Sequence, residues 1–480
     1  MATQGGNRVS KFFKDFGIYT IGVLGTRVIT FLMVPLYTYF IENPSDYGYY
    51  DLCLTLCMML IPLATLQLRE GAFRFLYSAQ SHEQREKVVT FIYRTMGINI
   101  LVILLIVVAI SQFFHIAYIW HTAALLVVMS IHEVVAQTSR GLHKNKVYVA
   151  NSIINAVAIG VFSVLFVWYM DMGIEGIFFA NILSRVCAVT FIELKLHIIP
   201  TYFKPKTDVK SISHEILRYV LPLIPTIIFW DMTLGSDRFF INYFIGFEAN
   251  GVYAVAVRFT AILQTLSLIL YQTWQETAIS QYDSPDRSSF FSSVFNLFVF
   301  TLVALLFVYT FVLKMNYGWL VNDKYQHSLM YIFPMGVAAI FNALSSSFFD
   351  LCYQCSKETH RAFRAIVLAL VINLTCNFFL VPRLGVWGVI TTSMTTYVFL
   401  VVYRSIDTRR YFTLTVNPST LVPVLLVPVG AFMFYCQHSF LLDIATIVVA
   451  LSIMWVALPR QYSAWVKDRF RSLLHRRVPS

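Results

Sequence analysis

Five arginines stand where an arginine is costly. Arg27, Arg69, Arg185, Arg238 and Arg258 each lie within a long apolar run. A guanidinium facing hydrocarbon costs about 3 kcal/mol or more, so each must face a partner, water or an anionic ligand. The planar guanidinium grips a phosphate through paired hydrogen bonds and stays protonated when partly buried. Phosphate binding is therefore the chemistry these residues can do, with a structural ion pair or snorkelling as the competing reading for each. Arg27 and Arg185 lie deepest by residue count and read first as ligand-facing, then Arg258, then Arg238 and Arg69. Arg69 also reads as part of an inner gate or surface cluster, because Glu70 is beside it and Arg74 and Arg85 follow. Asp237 precedes Arg238 directly, and adjacent side chains diverge on a helix, so the two are expected to pair with different helices.

The acidic counterparts inside apolar runs are Asp51, Glu70, Glu133, Asp231, Asp237 and Asp350. A carboxylate exposed alternately to the two sides of a membrane can take up and release H+ or Na+. Asp231 is deepest by counting, whereas Glu133 and Asp350 fall near span ends; salt bridging or cavity solvation is the other reading for all six. Pro35, Pro222 and Pro225 can bend their helices and read as hinges or simply as helix shape. No G-x-x-x-x-G-K-[ST] phosphate loop and no H-E-x-x-H or other metal spacing occurs. No cofactor, metal site, catalytic residue or enzyme activity is expected. Cys352 and Cys355 have the spacing of a redox pair, but no second pair or histidine cluster accompanies them, and they read as packing residues.

The elements that must position these side chains follow from composition. Of 480 residues, 58% are hydrophobic and only 13% charged, against about a quarter charged in a typical soluble domain. So few charges cannot cover so large a core, and the chain reads as an all-α polytopic membrane protein. The net charge of +11 would raise nucleic acid as a partner, but the positive residues sit in short segments between apolar runs, which is how topology signals look. No nucleic acid is expected.

Fourteen spans are predicted, roughly 14–40, 50–76, 90–113, 119–139, 148–170, 176–197, 215–244, 250–275, 291–313, 325–352, 362–381, 386–404, 418–436 and 440–458. The first reads as a spanning helix, not a cleaved signal, because it holds Arg27 and Pro35 and has no small-residue cleavage pattern. With the N-terminus inside, the outer loops hold only Lys314, Lys324 and Arg383, and nearly all other basic residues fall in inner segments. The positive-inside rule then places both termini in the cytoplasm.

A loose internal repeat divides the chain. Tyr47-Gly48-Tyr49-Tyr50 opens one span and Asn250-Gly251-Val252-Tyr253 another, and Gly173-Ile174-Glu175-Gly176 parallels Gly385-Val386-Trp387-Gly388. Glycine at these positions suits tight turns and close helix contact. The predicted organisation is an N-terminal lobe (1–197), a cytoplasmic linker (198–214), a C-terminal lobe (215–405), a final helix pair (406–458) and a basic tail (459–480). Six helices per lobe is an even number, so the lobes repeat in parallel, with a central cavity expected between them.

The ordered motifs carry a resemblance. Asp46-Tyr47-Gly48-Tyr49-Tyr50, Gly71-Ala72-Phe73-Arg74-Phe75, Gly141-Leu142-His143-Lys144-Asn145-Lys146, Ser236-Asp237-Arg238-Phe239-Phe240-Ile241 and Asn373-Leu374-Thr375-Cys376-Asn377 appear in sequence order, followed by Pro382-Arg383-Leu384-Gly385. Over roughly residues 10–405 the chain resembles the polysaccharide transporter family, which includes O-antigen flippases, of the multidrug/oligosaccharidyl-lipid/polysaccharide exporter superfamily. The resemblance implies a flippase in the bacterial cytoplasmic membrane. It would move undecaprenyl-diphosphate-linked oligosaccharide to the outer leaflet for surface polysaccharide synthesis, by alternating access coupled to H+ or Na+. Implied partners are the lipid bilayer and other polysaccharide-assembly membrane proteins, and the paired lobes fit a working monomer. A peptidoglycan-precursor flippase and a multidrug or organic-cation exporter of the same superfamily are the alternatives. A membrane-embedded polymerase or acyltransferase is the enzyme alternative.

Overall fold

The computed structural model describes residue 29 and residues 31–282, 284–356, 358–436 and 439–458. It is all-helical, with no strand among the described residues. In the first compact unit, which ends at Ala254, the helices are α1 (Phe31–Phe40), α2 (Pro44–Ala64), α3 (Leu68–Ser78), α4 (His82–Phe113), α5 (Ile119–Gly141), α6 (Asn145–Ser163), α7 (Gly173–Leu196), the short α8 (Ile198–Tyr202), α9 (Lys210–Val220) and α10 (Leu223–Phe244). They are followed by α11 (Phe247–Gln281), α12 (Arg287–Leu320), α13 (Leu329–Ala343), α14 (Asp350–Ser356), α15 (Thr359–Leu384), α16 (Val386–Asp407), α17 (Leu421–Cys436) and α18 (Phe440–Ala457). The second unit begins at Val255. Among the described residues 13 helical segments are long and apolar enough to cross a bilayer. Of the first predicted span, 14–40, only residue 29 and α1 are described, and residues 14–28 and 30 and the tail 459–480 lie outside the described residues.

Several spans are composite. The predicted helix 50–76 breaks at Thr65–Gln67, where Leu66 and Gln67 adopt left-handed backbone (φ 47° and 54°). The Thr65 hydroxyl donates to Ile61 O at 2.8 Å, ending α2 from within, and α3 restarts with Arg69 in its first turn. The predicted span 215–244 is likewise α9 and α10, joined at Leu221-Pro222. Predicted span 325–352 is built from a 3-10 turn (Asp323–Ser328), α13, a π turn (Leu344–Phe349) and α14. A discontinuous span leaves backbone groups open to a neighbour or ligand, which an uninterrupted helix in lipid cannot do.

The glycine motifs mark the closest helix contacts. A Cβ on Gly48 would lie 2.0 Å from Phe247 O, and one on Gly251 would lie 2.0 Å from Pro44 O. Asn250 Nδ2 donates to Gly48 O at 2.7 Å, so the backbones of α2 and α11 touch within the first unit. In the turns to α7 and α16, Gly173 and Gly385 adopt positive φ (54° and 60°). One turn on, added Cβ atoms at Gly176 and Gly388 would meet the backbone of Phe166 and Leu380. By contrast, α4 presents Leu101, Leu105 and Phe113 outward, as a lipid-facing helix does.

In the second unit an aromatic core of Phe291, Phe295, Phe298, Phe348, Phe349 and Phe412 is tied by buried ion pairs. Lys314, read from sequence as an outer-loop residue, instead lies in α12 and pairs with Asp443 of α18 at 3.1 Å. Arg404, read as inner-loop, is buried in α16: it donates to Ser345 O of the π turn at 2.9 Å and pairs with Asp350 at 3.1 Å. Asp407 collects Tyr353 at 2.9 Å and Arg361 at 3.4 Å. Glu358, between spans, accepts from Arg361, which holds its carboxyl below the ordinary carboxylate range.

Candidate functional site

A cavity of about 360 Å³ opens inside the first unit, lined by Met58, Ile61, Pro62, Arg69, Met129, His132, Glu133, Asn155, Arg185 and Asp231. Four stretches of chain far apart in sequence, α3, α5, α7 and α10, bring Arg69, Glu133, Arg185 and Asp231 to one cavity. Helical spacing explains the α5 contribution: Met129, His132 and Glu133 sit at i, i+3 and i+4 and so share one face. The α2–α3 break explains Arg69, since it places this side chain at the start of a helix instead of mid-span.

Arg69 Nη1 lies 3.3 Å from Glu133 Oε2, its Nε donates to Gln67 Oε1 at 3.3 Å, and Glu70 is 3.7 Å away. Arg185 Nη1 donates to Asn181 O at 2.8 Å and to Asn181 Oδ1 at 3.0 Å. It has no carboxylate within 4.0 Å among the described residues. Asp231 lines the cavity from α10 with no hydrogen bond or ion pair among the described residues. His132 Nε2 faces Asn151 Nδ2 at 3.1 Å. Asn155 Oδ1 is buried without a partner. Two guanidiniums, two carboxylates, an imidazole and an amide thus face one space, alongside Met58, Ile61, Pro62 and Met129. Such a set can hold an anion bidentately and exchange protons beside it.

Other predicted residues lie elsewhere. Arg238 pairs with Asp51 of α2 at 3.0 Å, both side chains nearly buried. Asp237 instead accepts from Tyr253 at 2.9 Å, so the two adjacent residues do serve different helices. Asp350 pairs with Arg404. Arg258 is half-buried in the second unit. Arg27 lies outside the described residues. Pro222 is in the α9–α10 break, Pro225 in the first turn of α10, and Pro35 in α1, where its carbonyl accepts from Thr38 at 3.1 Å. Sequence reading missed His132 and Asn155. A histidine preceding Glu133 in an apolar run was the available signal for the first. Among the described residues no group of three or more His, Cys, Asp or Glu is placed to hold a metal ion, and the seven cysteines are free thiols.

The sequence pattern described as "Polysaccharide biosynthesis protein" matches residues 12–274, more than half of the chain. The chain belongs to that family. The fold is similar to that of "Lipid II flippase MurJ, inward closed conformation", at 15% identity and a TM-score of 0.71, covering 92% of this chain and 99% of that one. It is similar also to an inward-facing multidrug resistance MATE family transporter of the MOP superfamily, at 13% identity and a TM-score of 0.59 over 82% of this chain and 98% of that one. The Vibrio cholerae MATE transporter VcmN aligns at 13% identity and a TM-score of 0.55, covering 85% of this chain and 98% of that one. No curated protein matches the chain. The protein is thus a member of the polysaccharide biosynthesis family with 13 helical segments among the described residues long and apolar enough to cross a membrane, and its fold is that of these flippase and exporter structures.

Proposed function

We propose that the protein is a flippase for a polyprenyl-diphosphate-linked saccharide, working by alternating access in a bacterial cytoplasmic membrane with both termini in the cytoplasm. The observation that carries this reading is the cavity holding Arg69 and Arg185, the latter without a carboxylate partner among the described residues. A diphosphate loses hydration on entering a low-dielectric space, and fixed guanidinium donors offset that loss. The polyprenyl tail stays in lipid while the headgroup and sugars cross. Asp231 and Glu133 are the carboxylates proposed to couple transport to H+ or Na+. The bilayer is the working environment, other polysaccharide-assembly membrane proteins are proposed neighbours, and a monomer suffices.

Two saccharide cargoes follow. The peptidoglycan-precursor reading is favoured by the likeness to the lipid II flippase, which has the highest TM-score of the three structures compared. The oligosaccharide repeat-unit reading, for O-antigen or capsule, is favoured by the family's description. Purified protein in proteoliposomes, supplied separately with lipid II, an undecaprenyl-diphosphate-linked oligosaccharide and an organic cation, separates them. Leaflet exposure of one lipid-linked cargo selects that reading. Movement of the organic cation alone overturns the flippase.

A further inference from the structure

The C-terminal half of α4 packs loosely on the first unit. Gly97 has nothing within 4 Å of an added Cβ, and beyond it an apolar groove of about 600 Å³ runs between α2, α4 and α5. Leu56, Leu60 and Leu63 of α2, Val102 and Ile106 of α4 and Leu126 of α5 line it. Val102 and Ile106 remain 47% and 52% exposed, so the groove opens sideways, where the bilayer lies. Along α4 it runs from Asn99 to Ile110. That stretch is about 16 Å long, and the hydrocarbon of one leaflet is about 15 Å thick. A methylene is about as large as a water molecule's share of liquid, about 30 Å³, so the groove holds about 20 methylenes. That matches one phospholipid acyl chain; an undecaprenyl tail needs roughly 1,600 Å³ on the same scale.

A second, polar space adjoins the end of the groove. It measures about 420 Å³ and shares Ile116 and Ile119 with the groove. It adds His115, Tyr118, Trp120, His121 and Glu175. Glu175 lies in the first turn of α7, where the helix start favours the ionised carboxylate. It forms no hydrogen bond or ion pair among the described residues. The α1–α2, α4–α5 and α6–α7 turns at this end hold Glu42, Asp46, Asp171 and Glu175 and no Lys or Arg. The exposed Trp120 offers its ring to a cation, and the two imidazoles can donate to a phosphate diester. This charge pattern suits a zwitterionic headgroup that ends in an ammonium and opposes an anionic one. We propose that groove and pocket together bind one phospholipid with an ammonium headgroup, its acyl chain between α2, α4 and α5 and its ammonium at Glu175. The topology proposed above puts this lipid in the outer leaflet. Its chain packs against α2, whose Met58, Ile61 and Pro62 line the charged cavity.

The test is native mass spectrometry of full-length protein in detergent, with phosphatidylethanolamine or phosphatidylglycerol of the same acyl chains added separately. Wild type is expected to hold its first phosphatidylethanolamine about tenfold more tightly than phosphatidylglycerol, and Glu175→Gln to bring the two within about twofold of each other. Ile106→Trp fills the groove from an exposed position and is expected to weaken phosphatidylethanolamine binding about tenfold. Leu105→Trp, on the outward face beside it, should leave that binding unchanged. Equal binding of the two lipids by wild type, a Glu175→Gln protein that keeps the preference, or equal effects of the two tryptophans overturns the proposal. So does wild type that retains neither lipid. Each of these outcomes leaves the flippase reading to its own cargo assay.

Discussion

At the residue scale, the five intramembrane arginines divide by partner. Arg238 sits 3.0 Å from Asp51 with both side chains nearly buried. Removing one partner of a buried pair strands the other charge and costs about 3 kcal/mol. Arg238→Ala should therefore lower the thermal unfolding temperature in detergent sharply, and the double change Arg238→Met with Asp51→Leu should restore most of it while leaving cargo binding intact. Restored stability with lost binding would instead make Arg238 a cargo contact. Arg185 and Arg69 open onto the cavity with Glu133 and Asp231. Those four were legible as charges too costly to face lipid. Their convergence was not, because it depends on which helices pack together. His132 and Asn155 were missed because neutral polar residues barely disturb an apolar run. Lys314 and Arg404 were misplaced because both lie near helix ends, where counting cannot tell a loop lysine from one turned inward to Asp443 or Asp350.

At the element scale, the breaks position the site. The α2–α3 break was not legible: no glycine marks it, and Leu66 and Gln67 take left-handed backbone at a cost of about 1–2 kcal/mol each. That strain is held by the hydrogen bonds around Thr65 and puts Arg69 at the cavity. The glycine motifs were legible, because a repeated glycine within an apolar helix calls for close approach. Their exact mates were not. At Gly251 the nearest atom to an added Cβ is backbone, Pro44 O at 2.0 Å, so the neighbour cannot yield as a side chain would. Gly251→Val should destabilise by about 3 kcal/mol or prevent folding, read as loss of a monodisperse gel-filtration peak. Gly97 of α4 has nothing within 4 Å of an added Cβ. Gly97→Ala should stabilise by about 0.5–1 kcal/mol, read as a raised unfolding temperature. Equal behaviour of the two variants would remove the close-packing role assigned to Gly251.

At the scale of the whole molecule, composition alone excluded a soluble protein, and the order of short motifs pointed to a polysaccharide family, a membership that the match over residues 12–274 then established. The cargo was not legible, because a sugar is recognised by many weak hydrogen bonds with no linear pattern. What the molecule does with its cavity is best tested on Arg185, the guanidinium with no carboxylate within 4.0 Å among the described residues. The measurement is the leaflet exposure of a fluorescent undecaprenyl-diphosphate-linked saccharide in proteoliposomes, for wild type and for folded Arg185→Ala. The account predicts protein-dependent flipping that falls at least about tenfold in the variant, as expected when a charge-assisted contact of about 1.5–3 kcal/mol is lost. Flipping at the wild-type rate by Arg185→Ala would contradict it.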